Sequence, residues 1–111
     1  MADLVQVFAQ AGPLPIKNQV EIMSDGPAIV SLAGSVWTPR GEQMIGISLA
    51  IDGSQAGTAQ IFANPANTHL PVVPVSFSYT FTIGPHLFEI DYLTGNETSD
   101  SNDFYVVTVE Y

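Results

Sequence analysis

The stretch SFSYTFTI, residues 76–83, places Phe77, Tyr79, Phe81 and Ile83 on alternate positions, with Ser76, Ser78, Thr80 and Thr82 between them. Such alternation fits a strand, where successive side chains point to opposite faces. It does not fit a helix, whose apolar stripe recurs every three to four residues. The same period runs through EQMIGISLAID, where Ile45, Ile47, Leu49 and Ile51 alternate with Met44, Gly46, Ser48 and Ala50. In PHLFEIDY, the side chains of His86, Phe88, Ile90 and Tyr92 share one face. The last run sets Tyr105, Val107, Val109 and Tyr111 opposite Phe104, Val106, Thr108 and Glu110.

Turn-forming residues separate these runs. They cluster at 25–27, 38–42, 52–57, 64–67, 83–86 and 94–102. Gly, Pro, Asn and Asp each favour a backbone that strands avoid. Strands are therefore expected near 3–10, 18–24, 28–37, 43–52, 57–63, 70–82, 86–93 and 103–110. The 70–82 stretch should divide, because Pro71 and Pro74 lack the N–H that a central ladder needs. About eight short strands without a helix predict an all-β fold, an antiparallel β-sandwich or barrel. Residues 1–111 are expected to form a single domain. A chain of 111 residues buries about two-thirds of its unfolded surface, enough for one core.

Charge narrows the partners. Lys17 and Arg40 are the only basic side chains against eleven acids, and the formal charge is −9. Nucleic-acid binding depends on clustered Lys and Arg that displace counterions, so no nucleic acid is expected as a partner. Anionic membrane surfaces are excluded on the same ground. No apolar run approaches the ~20 residues of a spanning helix, so no membrane partner is expected. The first fifteen residues carry no basic residue, so they do not read as a secretory leader. Cysteine is absent, which excludes disulfides, thiol catalysis and cysteine-ligated zinc.

Three features carry a resemblance. ISLAIDGSQAGTAQIF contains a strand ending in Asp52-Gly53, PVSFSYTFTIGPHLFEIDY starts a strand at Gly84-x-His86, and DFYVVTVEY closes the chain with an aromatic strand. Together, over roughly residues 45–111, they resemble compact jelly-roll modules of bacteriophage tail and capsid appendages and of tumour-necrosis-factor/C1q-like domains. The resemblance implies a jelly-roll-like sandwich of about eight strands. It also implies a structural or attachment role in a virion, contacts with capsid or tail proteins, and a homotrimer. Cytoplasmic placement, or secretion without a recognisable leader, is the alternative to a virion.

The segment DSNDFYVVTVEY is in addition similar to the C-terminal stretch of calcium-dependent fucose-binding bacterial lectins. That resemblance implies calcium ligation by Asp100, Asn102 and Asp103. Calcium prefers six to eight oxygen ligands from carboxylates, amides and carbonyls. Read on their own, the same residues order a turn by bonding their own backbone. No cofactor is therefore expected, with calcium the alternative.

Trp37 and Arg40 form the other candidate ligand site. A Trp face stacks on sugar rings, with Arg40 and an acid such as Glu42 beside it. Alternatively, Trp37 fills the end of the sandwich. Glu89 and Asp91 share a strand face, where paired carboxylates are usually only solvated. His69 and His86 have no zinc-motif spacing, and no Gly-x-Ser-x-Gly elbow exists. The chain is expected not to be an enzyme. Carbohydrate binding is the alternative to the structural role. The last strand is apolar on both faces, so a second copy should cover one of them. Tyr105, Val107, Val109 and Tyr111 are the expected interface residues.

Overall fold

The computed structural model describes residues 3–111. The strands are β1 (Leu4–Ala11), β2 (Ile16–Ile22), β3 (Gly26–Val36), β4 (Gln43–Ile51), β5 (Ser54–Ala63), β6 (Leu70–Pro71), β7 (Val75–Phe81), β8 (Gly84–Tyr92) and β9 (Phe104–Glu110). No helix occurs among the described residues. The expected 70–82 strand divides into β6 and β7, with Pro74 in the gap between them.

All strand pairing is antiparallel. One sheet runs β1-β9-β3-β6, with β7 also on β3, and the other runs β2-β8-β4-β5. The pairings β1 with β9, β2 with β8, β3 with β6 and β7, and β4 with β5 nest inside one another. The chain is thus one long hairpin, tip at β4–β5, wound into two facing sheets. This winding is the jelly-roll arrangement of an antiparallel sandwich.

The alternation seen in the sequence fills the space between the sheets. Ile45, Ile47, Leu49 and Ile51 from β4, with Phe88 and Ile90 from β8, are buried from the second sheet. Val30, Leu32 and Val36 from β3 meet them from the first. Tyr105, Val107 and Val109 from β9 are also wholly buried there. This corrects the interface expectation. β9 lies between β1 and β3 rather than at an edge, and its odd-numbered side chains face the opposing sheet of the same chain. Tyr111 is half-buried, and its hydroxyl accepts the Met23 N–H at 3.1 Å. Tyr105, Val107 and Val109 are thus taken up by the chain's own core, and the face turned outward carries Phe104, Val106, Thr108 and Glu110.

Asp52-Gly53 forms the hairpin tip, with φ of 54° and 86°. Positive φ at both central residues is the turn geometry whose twist matches the flanking strands, and Asp-Gly supplies it at low cost. The Asp52 side chain also ties the tip to β8. Its Oδ1 accepts the Leu87 N–H at 2.9 Å, and its Oδ2 lies 2.6 Å from His86 Nδ1. His86 Nε2 lies 2.7 Å from the Thr82 carbonyl. A carbonyl and a carboxylate can only accept, so the ring carries both protons. Burial opposes that charge, but the Thr82 carbonyl, Asp52 and Glu21 outweigh it and raise the His86 pKa. A pKa raised on folding adds stability that is full below the unfolded value, about 6.5, and is lost as pH rises through the folded value. The melting temperature is therefore expected to fall as pH rises above about 6.5. His86→Gln should flatten that slope, and an equal slope in the variant would refute the assignment.

Candidate functional site

The loop between β8 and β9 is built around a buried carboxylate. Glu97 Oε1 accepts the N–H of Thr94 at 2.9 Å and of Gly95 at 2.7 Å. Its Oε2 accepts the Gly46 N–H at 2.8 Å and the Thr94 hydroxyl at 2.7 Å. The strand β4 thus holds the loop from below. Next, Trp37 and Thr98 exchange backbone bonds of 3.0 and 2.7 Å, which fixes the loop across the end of β3. Ser99 then accepts the Leu14 N–H at 2.8 Å and meets the Tyr92 hydroxyl at 2.9 Å.

This scaffold delivers Asp100 and Asp103 to the sandwich end. Asp103 is wholly buried. Its Oδ2 accepts the Asp100 N–H at 2.9 Å, and its Oδ1 accepts the Ser35 hydroxyl at 2.7 Å. Oδ1 also lies 2.7 Å from His69 Nδ1. Asp103 accepts only, so Nδ1 carries the proton and Nε2 is left outward. There it stands 3.7 Å from Asp100 Oδ2. The Asp103 hydrogen bond raises the His69 pKa against partial burial, with both carboxylates adding attraction. The Trp37 ring lies 5.8 Å, centroid to centroid, from the imidazole.

His69, Asp100 and Asp103 bring one ligand atom each within 4.8 Å of one another. The sequence linked Asp100 and Asp103 but not His69, which lies 34 residues before Asp103 in the chain. The short β6, Leu70–Pro71, holds it there by pairing with the end of β3 at Val36 and Ser35. Asn102 is exposed, and only its backbone N–H joins the network, donating to Asp100 Oδ1 at 2.8 Å. The three residues expected to ligate calcium therefore do not form an oxygen cage. Asp103 has no exposed oxygen, and both of its oxygens already serve protein donors. Arg40 is exposed in the turn after Trp37, where its N–H donates to Thr38 Oγ1 at 3.2 Å. Glu89 lies 3.9 Å from Lys17 on the outer face of the second sheet, the face it shares with Asp91.

A second surface stands apart from this loop. The five strands of the first sheet carry one charged side chain, Glu110. Their outer face presents Ser31 and Ala33 from β3, Ser76 and Ser78 from β7, and Val106 and Thr108 from β9. A shallow groove of about 140 Å³ runs between β7 and β9 across β3. Phe104 and Ile29 on this face are 50% and 45% exposed.

No protein-family model matches the sequence, and no curated protein matches it. Solved structures do match. The Eiger tumour necrosis factor of S. frugiperda aligns over 97% of this chain and 92% of its own, at TM-score 0.64 and 7% identity. A family 35 carbohydrate-binding module, from Abf62 of Cellvibrio japonicus, aligns over 98% of this chain and 92% of its own, at TM-score 0.56 and 12% identity. A β-glucosidase of Paenibacillus barengoltzii aligns at TM-score 0.64 and 15% identity, and this chain spans only 10% of its length. At such identities the likeness shows the fold. The chain is a jelly-roll-like antiparallel β-sandwich, resembling tumour-necrosis-factor and carbohydrate-binding modules.

Proposed function

We propose that this chain is a non-enzymatic structural or attachment module of a virion or similar particle, assembling with copies of itself through the outer face of the first sheet. One observation carries the reading. A chain with a formal charge of −9 places only Glu110 among the five strands of that sheet. Copies of an acidic chain repel one another wherever acids meet. The face around Val106, whose single charge is Glu110 at the end of β9, is where that repulsion is least. Charge is depleted from the cores of protein interfaces, and Phe104 and Ile29 supply apolar area to bury. Closed rings are the usual solution for like chains. The assembly is read as a homotrimer with the outer face of β9 toward the axis. The remaining surface then serves contacts with capsid or tail proteins.

Light scattering tests this. The purified chain is expected to run at a multiple of 11.9 kDa. Val106→Asp, which places a charge on the outer face without entering the core, should give single chains with an unchanged circular dichroism spectrum. A wild type that stays at one chain across concentration defeats the assembly reading.

A second reading is carbohydrate binding at the sandwich end. Trp37 beside His69, with Asp100 next to them, offers a stacking face and hydrogen-bonding groups. The likeness to carbohydrate-binding modules is in keeping with it. Glycan-array binding that disappears in Trp37→Ala would favour this reading over the first.

A further inference from the structure

We propose that His69 Nε2 and the Asp100 carboxylate bind a divalent cation of the zinc class at the sandwich end, with Asp103 as the residue that orients the imidazole. The site rests on the geometry of the end loop and is independent of the assembly through the first sheet.

The spacing is the first argument. His69 Nε2 and Asp100 Oδ2 are 3.7 Å apart. That is too long for a hydrogen bond. Two ligands each about 2.1 Å from a tetrahedral ion stand roughly 3.4 Å apart, so a small closure would let them share zinc. The second argument is the orientation of the ring. Histidine ligands of metals characteristically give their other N–H to a carboxylate, which fixes the tautomer and makes the free nitrogen more basic. Asp103 holds Nδ1 at 2.7 Å, and Ser35 and the Asp100 N–H hold Asp103 in turn. The donor set decides the metal class. One imidazole nitrogen with one carboxylate oxygen, Asp100 Oδ2, suits zinc and its neighbours, whereas calcium requires a cage of oxygens.

The surroundings also point to a ligand. Trp37 Nε1, on the ring beside His69, is buried without a partner. The His69 and Asp100 side chains are 37% and 43% exposed, so a bound ion keeps positions open to solvent or to an oxygen ligand. The strongly acidic chain raises the local concentration of cations.

Isothermal titration with zinc chloride tests the proposal, with calcium chloride in parallel. Cobalt(II) absorption reports the coordination geometry. The wild type should take up one zinc per chain. His69→Ala should weaken binding by tenfold or more, and Asp100→Asn by a similar factor. Both side chains are partly exposed, so both variants should keep the wild-type circular dichroism. Asp103→Asn should weaken zinc about 10–100-fold while leaving His69 and Asp100 in place, as loss of an orienting carboxylate does. Three results would overturn the assignment: no saturable zinc uptake, equal affinity in His69→Ala, or stoichiometric calcium binding that survives His69→Ala.

Discussion

Glu97→Ala is expected to cost about 3–5 kcal/mol of stability, the largest loss from any single side chain in the end loop. The residue is 6% exposed and accepts four hydrogen bonds. Alanine would leave the N–H groups of Gly46, Thr94 and Gly95 and the Thr94 hydroxyl without their acceptor. Each unsatisfied buried donor costs about 1–3 kcal/mol, less where loop motion lets water in. The total is therefore smaller than four separate losses. Glu97→Gln keeps one oxygen and should fall between wild type and alanine. Guanidinium denaturation measures the difference, and a loss under about 1 kcal/mol would show that the loop is held in some other way. The damage should also reach the sandwich end, because Trp37 meets this loop at Thr98 and the Asp100–Asp103 turn follows directly.

The second large effect is steric. Gly34 in β3 is paired directly with Tyr105 in β9. A Cβ at Gly34 would overlap the Tyr105 ring and lie 3.3 Å from Ile47. The ring cannot retreat easily, since a Cβ at Gly12 would stand only 3.1 Å from its Cε2 on another side. Two glycines thus frame one fully buried aromatic. Gly34→Val should destabilise by about 3 kcal/mol or more, at or beyond the upper end of the usual cost of overpacking a core. Tyr105→Leu, which removes the obstructing ring, should recover part of that loss. A double-mutant cycle would then show strong coupling between the two positions. If the losses simply add, the ring is not what the new side chain meets.

The architecture was readable because alternation and turn chemistry agreed. Ile45 to Ile51 and Phe88 to Ile90 turn inward as their spacing required, and Asp52-Gly53 makes the tight turn its residues favour. Pro74 falls in the break between β6 and β7, while Pro71 sits at the end of the two-residue β6. In β9, alternation failed to say which face is inside. Both faces are apolar, and only the neighbouring strands β1 and β3 decide it. The sandwich-end site was half legible. Asp100, Asp103 and Trp37 drew notice as residue types. His69 read only as a ligand without a spaced partner, because its tie to Asp103 joins residues 34 apart in the chain, and period and spacing report local order only. The role of Glu97 was hidden for the same reason: its Gly46 contact links a loop to a strand 51 residues earlier.

Lys17 gives the module a built-in orientation. It is the only lysine in the chain, and there is no cysteine. It projects from β2, at the edge of the second sheet, with its side chain 60% exposed beside Glu89. A reagent that modifies side-chain amines therefore has a single address, on the sheet opposite the face that carries Val106. Tethered to a surface through that amine, every copy would stand the same way round, with Val106 and Phe104 turned toward the solution.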